Sequence, residues 1–217
     1  TGSGIKDIRL PFAQAAPPKA TDNITYRGNL NADSDPLGTI QRSVSMYDAS
    51  STGYVAVTGA SLLTNLKNGE GVGGGLVAGD VITVKADIGG TSITPVTYTV
   101  TATSTVQDLA TAIEGAMSLT AGSVTIDGSG RINIQGTKGA ANSVTNVSIS
   151  AKDATATTDR LTFNTLNVYS PIQYARDAGT HLASITVYDS LGQTHNVSVK
   201  FTKVDGRNEW TWDATMD

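Results

Sequence analysis

The segment VYDSLGQTHNVSVKFTKVDGRNEWTWDA, at residues 187–214, decides the fold of this chain. Across the wider stretch Ala183–Asp217, apolar and polar residues alternate in three short runs, which is the period of half-buried strands. Turn-forming sequences separate these runs at residues 189–192 and 205–208. The stretch therefore predicts a three-stranded antiparallel meander. Because so small a ribbon buries little surface alone, we expect partner strands from Thr21–Asp48.

Two tryptophans mark the last of these strands. Trp210 and Trp212 lie two residues apart, so that their side chains share one face of the strand. This spacing predicts that both rings are buried in the core.

Composition narrows the class of protein. Charged residues make up 16% and aromatic residues 6% of the 217 residues, which favours a β-rich chain with many turns over a helical bundle. The net charge of −4, without a basic run, gives no support to nucleic-acid binding. No apolar run reaches the length of a membrane span. Without cysteine the chain has no disulfides, thiolate nucleophiles or thiolate metal ligands.

The middle of the chain predicts a compact α+β module. Two hairpins are indicated, at residues 80–100 and 124–134, and a further strand around Val147 and Ile149. Between the hairpins, Ser104 as N-cap and Gln107 as its capping-box partner predict a helix. The helix has an apolar stripe that we expect to pack on its own sheet, formed by Val106, Leu109, Ala110, Ile113 and Met117. The predicted element order is β-β-α-β-β-β.

The fold class that follows is mainly β, with a discontinuous antiparallel barrel or sandwich domain and a small inserted α+β domain. We expect an approach segment over 1–20, the discontinuous domain over 21–49 and 161–217, and the inserted domain over 50–160. Strands are predicted around Ile8 and Leu10, at Ile24 and Tyr26, over Ile40–Tyr47, and at Leu161 and Phe163; Val168, Ile172 and Tyr174 are expected core contacts. Hinges are expected at Ala13–Lys19 and at the crossings near Ser50 and Arg160.

Candidate chemistry is sparse, and we predict no catalytic, cofactor-binding or metal-binding residues. Ser190, His195 and Asp189 could be arranged as a triad, but two of them occupy a turn tip, where such residues satisfy the backbone. Asp33 and Asp35 match only a fragment of a calcium loop. The glycine-rich run GVGGG (71–75) lacks the Gly-Lys-Ser/Thr ending of a phosphate loop and predicts a mobile loop instead. Glycosylation-type triplets at Asn23, Asn146 and Asn196 are attributed to chance.

The strongest signal is a resemblance to a known family. The runs VYDSLGQTH (187–195) and VKFTKVDGRNEWTWDATMD (199–217) resemble the bacterial flagellar hook protein, and ATDNITYRGNLNADSDP (20–36) resembles its upstream segment. The central module also resembles one found in flagellin, hook and hook-associated proteins. The residues that carry this second resemblance are Leu62–Val72, Thr103–Ile113 and Gly130–Ile134.

The resemblance implies a structural subunit of the flagellar hook, a flexible helical tube that transmits torque from motor to filament. It implies a non-enzymatic, extracellular, self-polymerising protein of the motility apparatus, exported through the flagellar channel, with hook-associated and rod proteins as partners and no nucleic-acid or membrane partner. The chain has no heptad pattern at either end, so we expect a truncated piece that is monomeric alone. The alternatives are an extracellular adhesive or carbohydrate-binding β module, which would need exposed aromatic rings, and a phage tail or baseplate protein.

Overall fold

The computed structural model describes residues 18–50 and 53–217. The fold is mainly β, with several antiparallel sheets, as the sequence predicts. Contacts divide the chain into two compact units, a terminal unit that contains residues 18–33 and Thr180–Asp217, and a central unit, Ser34–Gly179. These bounds differ from the expected ones near residues 50 and 160. Whether each unit is a domain that folds alone stays a prediction.

The described residues form thirteen strands and two α-helices. The strands are β1 Gly38–Arg42, β2 Tyr47–Asp48, β3 Leu66–Lys67, β4 Val81–Ile88, β5 Thr91–Ser92, β6 Val96–Thr99, β7 Val124–Ile126, β8 Ile132–Lys138, β9 Val144–Lys152, β10 Ser170–Gln173, β11 Thr180–Tyr188, β12 Thr194–Lys203 and β13 Trp210–Met216. The helices are α1 Val106–Ala116 and α2 Leu161–Leu166.

The terminal unit contains the predicted meander. Strands β11, β12 and β13 form an antiparallel sheet in that order, with Val199 opposite Ala183 on one side and Ala214 on the other. The turn between β11 and β12 passes through Gly192, whose φ of 79° is in the left-handed region that glycine adopts without strain. The three-stranded prediction is confirmed.

Segment 18–33 crosses this sheet without forming a strand. The Thr21 amide donates to the Tyr188 carbonyl oxygen at 2.9 Å, and the ring of Tyr26 packs edge-on against Phe201 with centroids 6.3 Å apart. The strand predicted at Ile24 and Tyr26 is therefore wrong, because the Thr21 hydrogen bond and side-chain packing, rather than a ladder of backbone hydrogen bonds, hold this segment. The strand predicted around Ile8 and Leu10 lies outside the described residues, as does most of the expected linker.

Burial of the last strand also differs from the expectation. Trp212 is 68% exposed and Trp210 is only partly buried, so the predicted burial of both rings is wrong. Strand β13 is an outer strand of the sheet. Segment 18–33, the covering segment of this sheet, contacts Phe201 on the middle strand instead. The tryptophan pair does share a face, but that face is left largely open over β13.

The central unit contains the predicted α+β module. Strands β4 and β6, helix α1, and strands β7, β8 and β9 follow in the expected order. One sheet has the strand order β10-β1-β8-β7, and another places β5, β6 and β9 around β4. The apolar stripe of α1 is fully buried in their common core, as the sequence predicts.

The start of α1 differs by one residue from the prediction. Thr105 is the N-cap, its Oγ1 accepts from the Asp108 amide, and the Asp108 carboxylate accepts from the Thr105 amide, which completes a capping box. The predicted cap, Ser104, is instead buried, and its hydroxyl accepts from the Thr101 amide and contacts the Tyr98 hydroxyl at 2.7 Å. Ser104 and Thr105 are both residues that can cap a helix; Ser104 is buried in the core, and Thr105 is the N-cap.

The strand expected over Ile40–Tyr47 belongs to the central unit rather than to the meander. It is split into β1 and β2, and β1 pairs with β8 and β10. Met46 is fully buried in the central core, and Gln41 Nε2 donates to the Val144 carbonyl oxygen at 2.9 Å. The expected single β-body from both flanks is therefore wrong for this segment. The burial of Met46 and the hydrogen bond from Gln41 hold this segment in the central unit.

The segment after residue 160 contains a short helix instead of the predicted strand. Phe163 and Leu166, three residues apart, are both buried, whereas Leu161 is 70% exposed. This helical spacing overrides the alternation of Leu161 and Phe163. The prediction that Val168, Ile172 and Tyr174 are core contacts is wrong, because all three side chains are exposed.

A buried ion pair anchors the crossing at Arg160. The guanidinium donates from Nε and Nη2 to the two carboxylate oxygens of Asp80, each at 2.7 Å, and Asp80 also accepts from the Val77 amide at 2.9 Å. Burial raises the pKa of Asp80, but the hydrogen bonds from Arg160 and Val77 outweigh it and lower the pKa below its usual value. The expected hinge at Arg160 is thus tied to the central unit.

Loss of this anchor should destabilise the central unit. We expect Asp80→Ala to lower the free energy of unfolding by about 2–4 kcal/mol, because Asp80 is almost fully buried and its removal leaves Arg160 without its partner. Chemical denaturation followed by circular dichroism measures the change. The control is Asp159→Ala, whose half-exposed ion pair with Lys152 should contribute less than about 1 kcal/mol. Equal effects from the two substitutions would contradict the assignment of Asp80 as the anchor.

A close approach of backbone to backbone should make Gly130 intolerant of a side chain. Its φ is 71°, and an added Cβ would overlap the Met46 carbonyl oxygen. We expect Gly130→Ala to destabilise by about 2–4 kcal/mol, from left-handed strain together with the clash. Gly128→Ala in the same turn, with open space around its Cβ, is the matched control. Thermal unfolding of both variants separates the two cases, and similar melting temperatures would refute the packing described.

Candidate interaction surfaces

The histidine and aspartate considered as part of a triad lie together, but they serve a turn. Asp189 Oδ1 accepts from the Leu191 and Gln193 amides at 2.8 Å each, and His195 Nε2 lies 3.5 Å from Asp189 Oδ2. His195 Nδ1 lies 3.3 Å from the Asp217 carbonyl oxygen. Ser190 is exposed at the turn tip. This arrangement holds the β11–β12 turn and the end of β13 in place.

Hydrogen bonds to the ionised carboxylate of Asp189 lower the pKa of this group. The amides of Gln193 and Leu191, with His195 beside them, hold the pKa of Asp189 below its usual value, although partial burial opposes them. The ionised carboxylate is therefore the form that stabilises the turn. This role accounts for the Asp-Ser-x-Gly pattern without any reaction chemistry.

The other motifs from the sequence also have structural roles. Asp33 donates its amide to Asn31 Oδ1 in a local turn. In the glycine-rich run, the Gly74 amide donates to the Leu66 carbonyl oxygen at 2.6 Å, and the Asn68 amide donates to the Val72 carbonyl oxygen at 2.9 Å. Within residues 18–50 and 53–217, no group of three His, Asp or Glu side chains is placed to hold a metal ion. The absence of site residues stays a prediction.

The main exposed surface of the terminal unit is one side of its sheet. In the register of the three strands, one face carries mainly apolar side chains, together with His181, His195 and Lys203. Val187 and Val199 on this face are buried, but Ile185 is 40%, Met216 66% and Trp212 68% exposed. The opposite face is dominated by Thr, Ser, Asn, Lys and Asp side chains. An apolar face of this kind is typical of a surface that contacts another protein.

Beside the covering segment lies a pocket of about 510 Å³. Tyr26, Leu30, His181 and Phe201 contribute to its wall. The His181 and Phe201 rings lie 6.4 Å apart, and Phe201 also contacts Tyr26. The pocket is the space left where an irregular segment, rather than a strand, packs on the sheet.

The central unit has a groove of about 480 Å³ that the sequence analysis did not find. It is lined by side chains from β1, from the start of β9 and from residues 169–175, among them Tyr169, Pro171 and Tyr174. Tyr174 was expected in a core and is 73% exposed. No periodic pattern in the sequence indicates this groove, because β1 lies about 100 residues before the other two parts of its lining.

The described residues thus form a mainly β structure, with an open, mainly apolar sheet face and a pocket in the terminal unit and a groove in the central unit. Residues 173–217, which include all three strands of the terminal sheet, match the family model described as the flagellar basal body protein FlaE D2 domain. Comparisons with curated proteins and with solved structures give no match.

The predicted resemblance to a flagellar hook protein fragment is thereby confirmed through its C-terminal segment. A structural role in the flagellar hook is the function that this match supports, and the family is structural rather than enzymatic. The resemblances of residues 20–36 and of the central module lie outside the matched segment and stay predictions. No helix among the described residues is long and apolar enough to cross a membrane.

The turn chemistry gives a prediction about pH. The pKa of Asp189 is lower in the folded chain than the unfolded value of about 3.9, so its contribution to stability is present above that value. The contribution is lost as the pH falls through the folded pKa. We expect an NMR titration of the Asp189 carboxyl carbon to give a midpoint below about 3.9, with the Leu191 and Gln193 amides shifting at the same midpoint.

Asp189→Asn is the control, because the amide oxygen can still accept both hydrogen bonds but does not titrate. In this variant the two amide signals should lose that pH dependence. A midpoint at or above about 3.9 in the unmodified chain would contradict the hydrogen-bonding account of the turn.

Proposed function

We propose that the chain is the surface-exposed part of a flagellar hook subunit that polymerises into a flexible tube and transmits torque to the filament. The observation that carries the proposal is the D2 family match over residues 173–217, which coincides with a complete three-stranded sheet. Hook-associated and rod proteins are the partners beyond the polymer itself. The site of action is outside the cell, at the hook.

The open side of the sheet supports the polymer role. Trp212 and Met216 project from the outer strand with about two thirds of their surface exposed. A polymer subunit needs such a surface, since it gains stability by burying apolar area against its neighbours. In this proposal the 217-residue chain alone is monomeric, and the apolar face is covered in the assembled tube.

Close packing within the central unit supports the joint role. The central core is continuous beneath the two larger sheets of this unit, and the Asp80–Arg160 ion pair fixes the crossing at Arg160. A bending tube needs subunits whose interiors keep their shape while the contacts between subunits change. The central unit meets the requirement for an interior that keeps its shape.

Site-specific labelling in the living cell tests the location. The chain contains no cysteine, so Ser190→Cys, at the exposed β11–β12 turn, introduces a thiol at a known position. We expect a membrane-impermeant fluorescent maleimide to label this variant, expressed as the full-length gene product, as short structures at the base of each filament. The unmodified strain gives the background.

Ala110→Cys is the buried control, because residue 110 lies in the core of the central unit and reacts only when the protein is unfolded. Label spread evenly over the cell body, or along whole filaments, from the Ser190→Cys strain would refute the hook location.

A further inference from the structure

The groove in the central unit lies where two strand edges diverge. Ser148 in β9 bridges to Val168, and a few residues later the chain pairs with β1 instead, with Pro171 opposite Gln41 and Gln173 opposite Ile40. The start of β9 and strand β10 thus become the two rims, and side chains of β1 form the floor between them. The resulting space of about 480 Å³ is large enough for a small ligand.

Both rims are unsuited to pairing with an extended peptide. On β9, the Val144 amide donates to Thr39 Oγ1 at 3.1 Å, and its carbonyl oxygen accepts from Gln41 Nε2 at 2.9 Å. Asn146 follows with a φ of 50°, at a bulge that interrupts the ladder. On the other rim, Pro171 lacks an amide hydrogen. A ligand of this groove is therefore recognised by side chains rather than by strand addition.

The chemistry of the lining is neutral and partly aromatic. All the side chains that line the groove are uncharged, and they combine amides and hydroxyls with tyrosine, proline and valine. Burial raises the pKa of the Tyr169 hydroxyl, which donates to Asn167 Oδ1 at 3.3 Å, so this wall stays neutral too. Tyr174 at the rim is 73% exposed, although its ring is large and largely apolar.

We propose that this groove binds a neutral saccharide, with the ring of Tyr174 as a stacking platform and Thr145 and Asn146 as hydrogen-bonding groups. A sugar ring has an apolar C–H face that packs on an aromatic ring and hydroxyls that exchange hydrogen bonds with amides and hydroxyls. None of the lining side chains carries a charge that would attract an anionic or cationic ligand; the nearby Asp87 carboxylate accepts from the Asn146 side-chain amide at 2.6 Å, which leaves the Asn146 Oδ1 to accept from a sugar hydroxyl. The inference does not depend on the role in the hook.

NMR titration of the isotope-labelled 217-residue chain tests the proposal. The probes are neutral trisaccharides of glucose, of mannose and of N-acetylglucosamine, each added to about 10 mM, which detects a dissociation constant near 1 mM. We expect at least one probe to shift the amides of Thr145, Asn146 and Tyr174 in a saturable way. A serine-linked glycopeptide with the same sugar distinguishes a protein-attached glycan from a free one, and stronger binding of the glycopeptide supports the attached form.

Three variants separate stacking from unrelated effects. Tyr174→Ala should weaken binding at least about tenfold, whereas Tyr174→Phe, which keeps the ring, should retain most of it. Tyr188→Ala removes a tyrosine that is 51% exposed in the terminal unit and should leave binding unchanged. Absence of saturable shifts with every sugar probe overturns the proposal. So does undiminished binding by Tyr174→Ala, or binding of an unglycosylated neutral peptide in place of the sugars.

Discussion

Each of the three larger sheets that the structure describes has a mainly apolar face, and covering that face is the constraint on which the structure depends. The central unit satisfies the constraint internally. Helix α1 and the facing strands enclose a continuous core, in which Met46, Ile113, Ile132 and Phe163 are fully buried. The terminal sheet satisfies it only in part, because the described covering segment contacts Phe201 while Trp212 stays exposed. The core of the central unit is therefore closed, whereas the described part of the terminal unit leaves apolar side chains of its sheet exposed.

Much of this fold is predictable from the sequence, because local signals and tertiary packing agree in most of the chain. Three patterns in the sequence each fit only one local structure. They are the alternation in β11 and β12, the turn at Asp127–Gly130 and the apolar stripe of α1. The errors occur where the local signal was short. Leu161 and Phe163 fit a strand or a helix equally well, and only the buried Leu166 decides for the helix. Partner choice for β1 depended on Gln41 and Val144, about 100 residues apart, which no local pattern reveals.

The surfaces were less predictable than the fold for a related reason. Alternation shows that two residues share a face, but it does not show whether anything covers that face. Trp210 and Trp212 share their face as expected, yet the outer position of β13 leaves it open. Tyr174, predicted to contact a core, lies exposed at the rim of the groove. A groove made by diverging strands depends on where a chain changes partners, as it does between Val168 and Pro171, and this is a property of the tertiary structure.

The magnitude of the exposed surface makes the proposed monomeric state of the chain compatible with the proposed polymer. Burying the exposed part of Trp212 would contribute about 3 kcal/mol, from some 100–150 Å² at about 25 cal/mol per Å². Ile185 and Met216 would add a few kcal/mol more. Association costs about 4–15 kcal/mol in lost translational and rotational freedom, so one such contact between two free chains stays weak. In a helical tube each subunit meets several neighbours, and later contacts do not incur that cost again. A face too small to form a stable dimer can therefore stabilise a polymer, and its contacts can exchange as the tube bends.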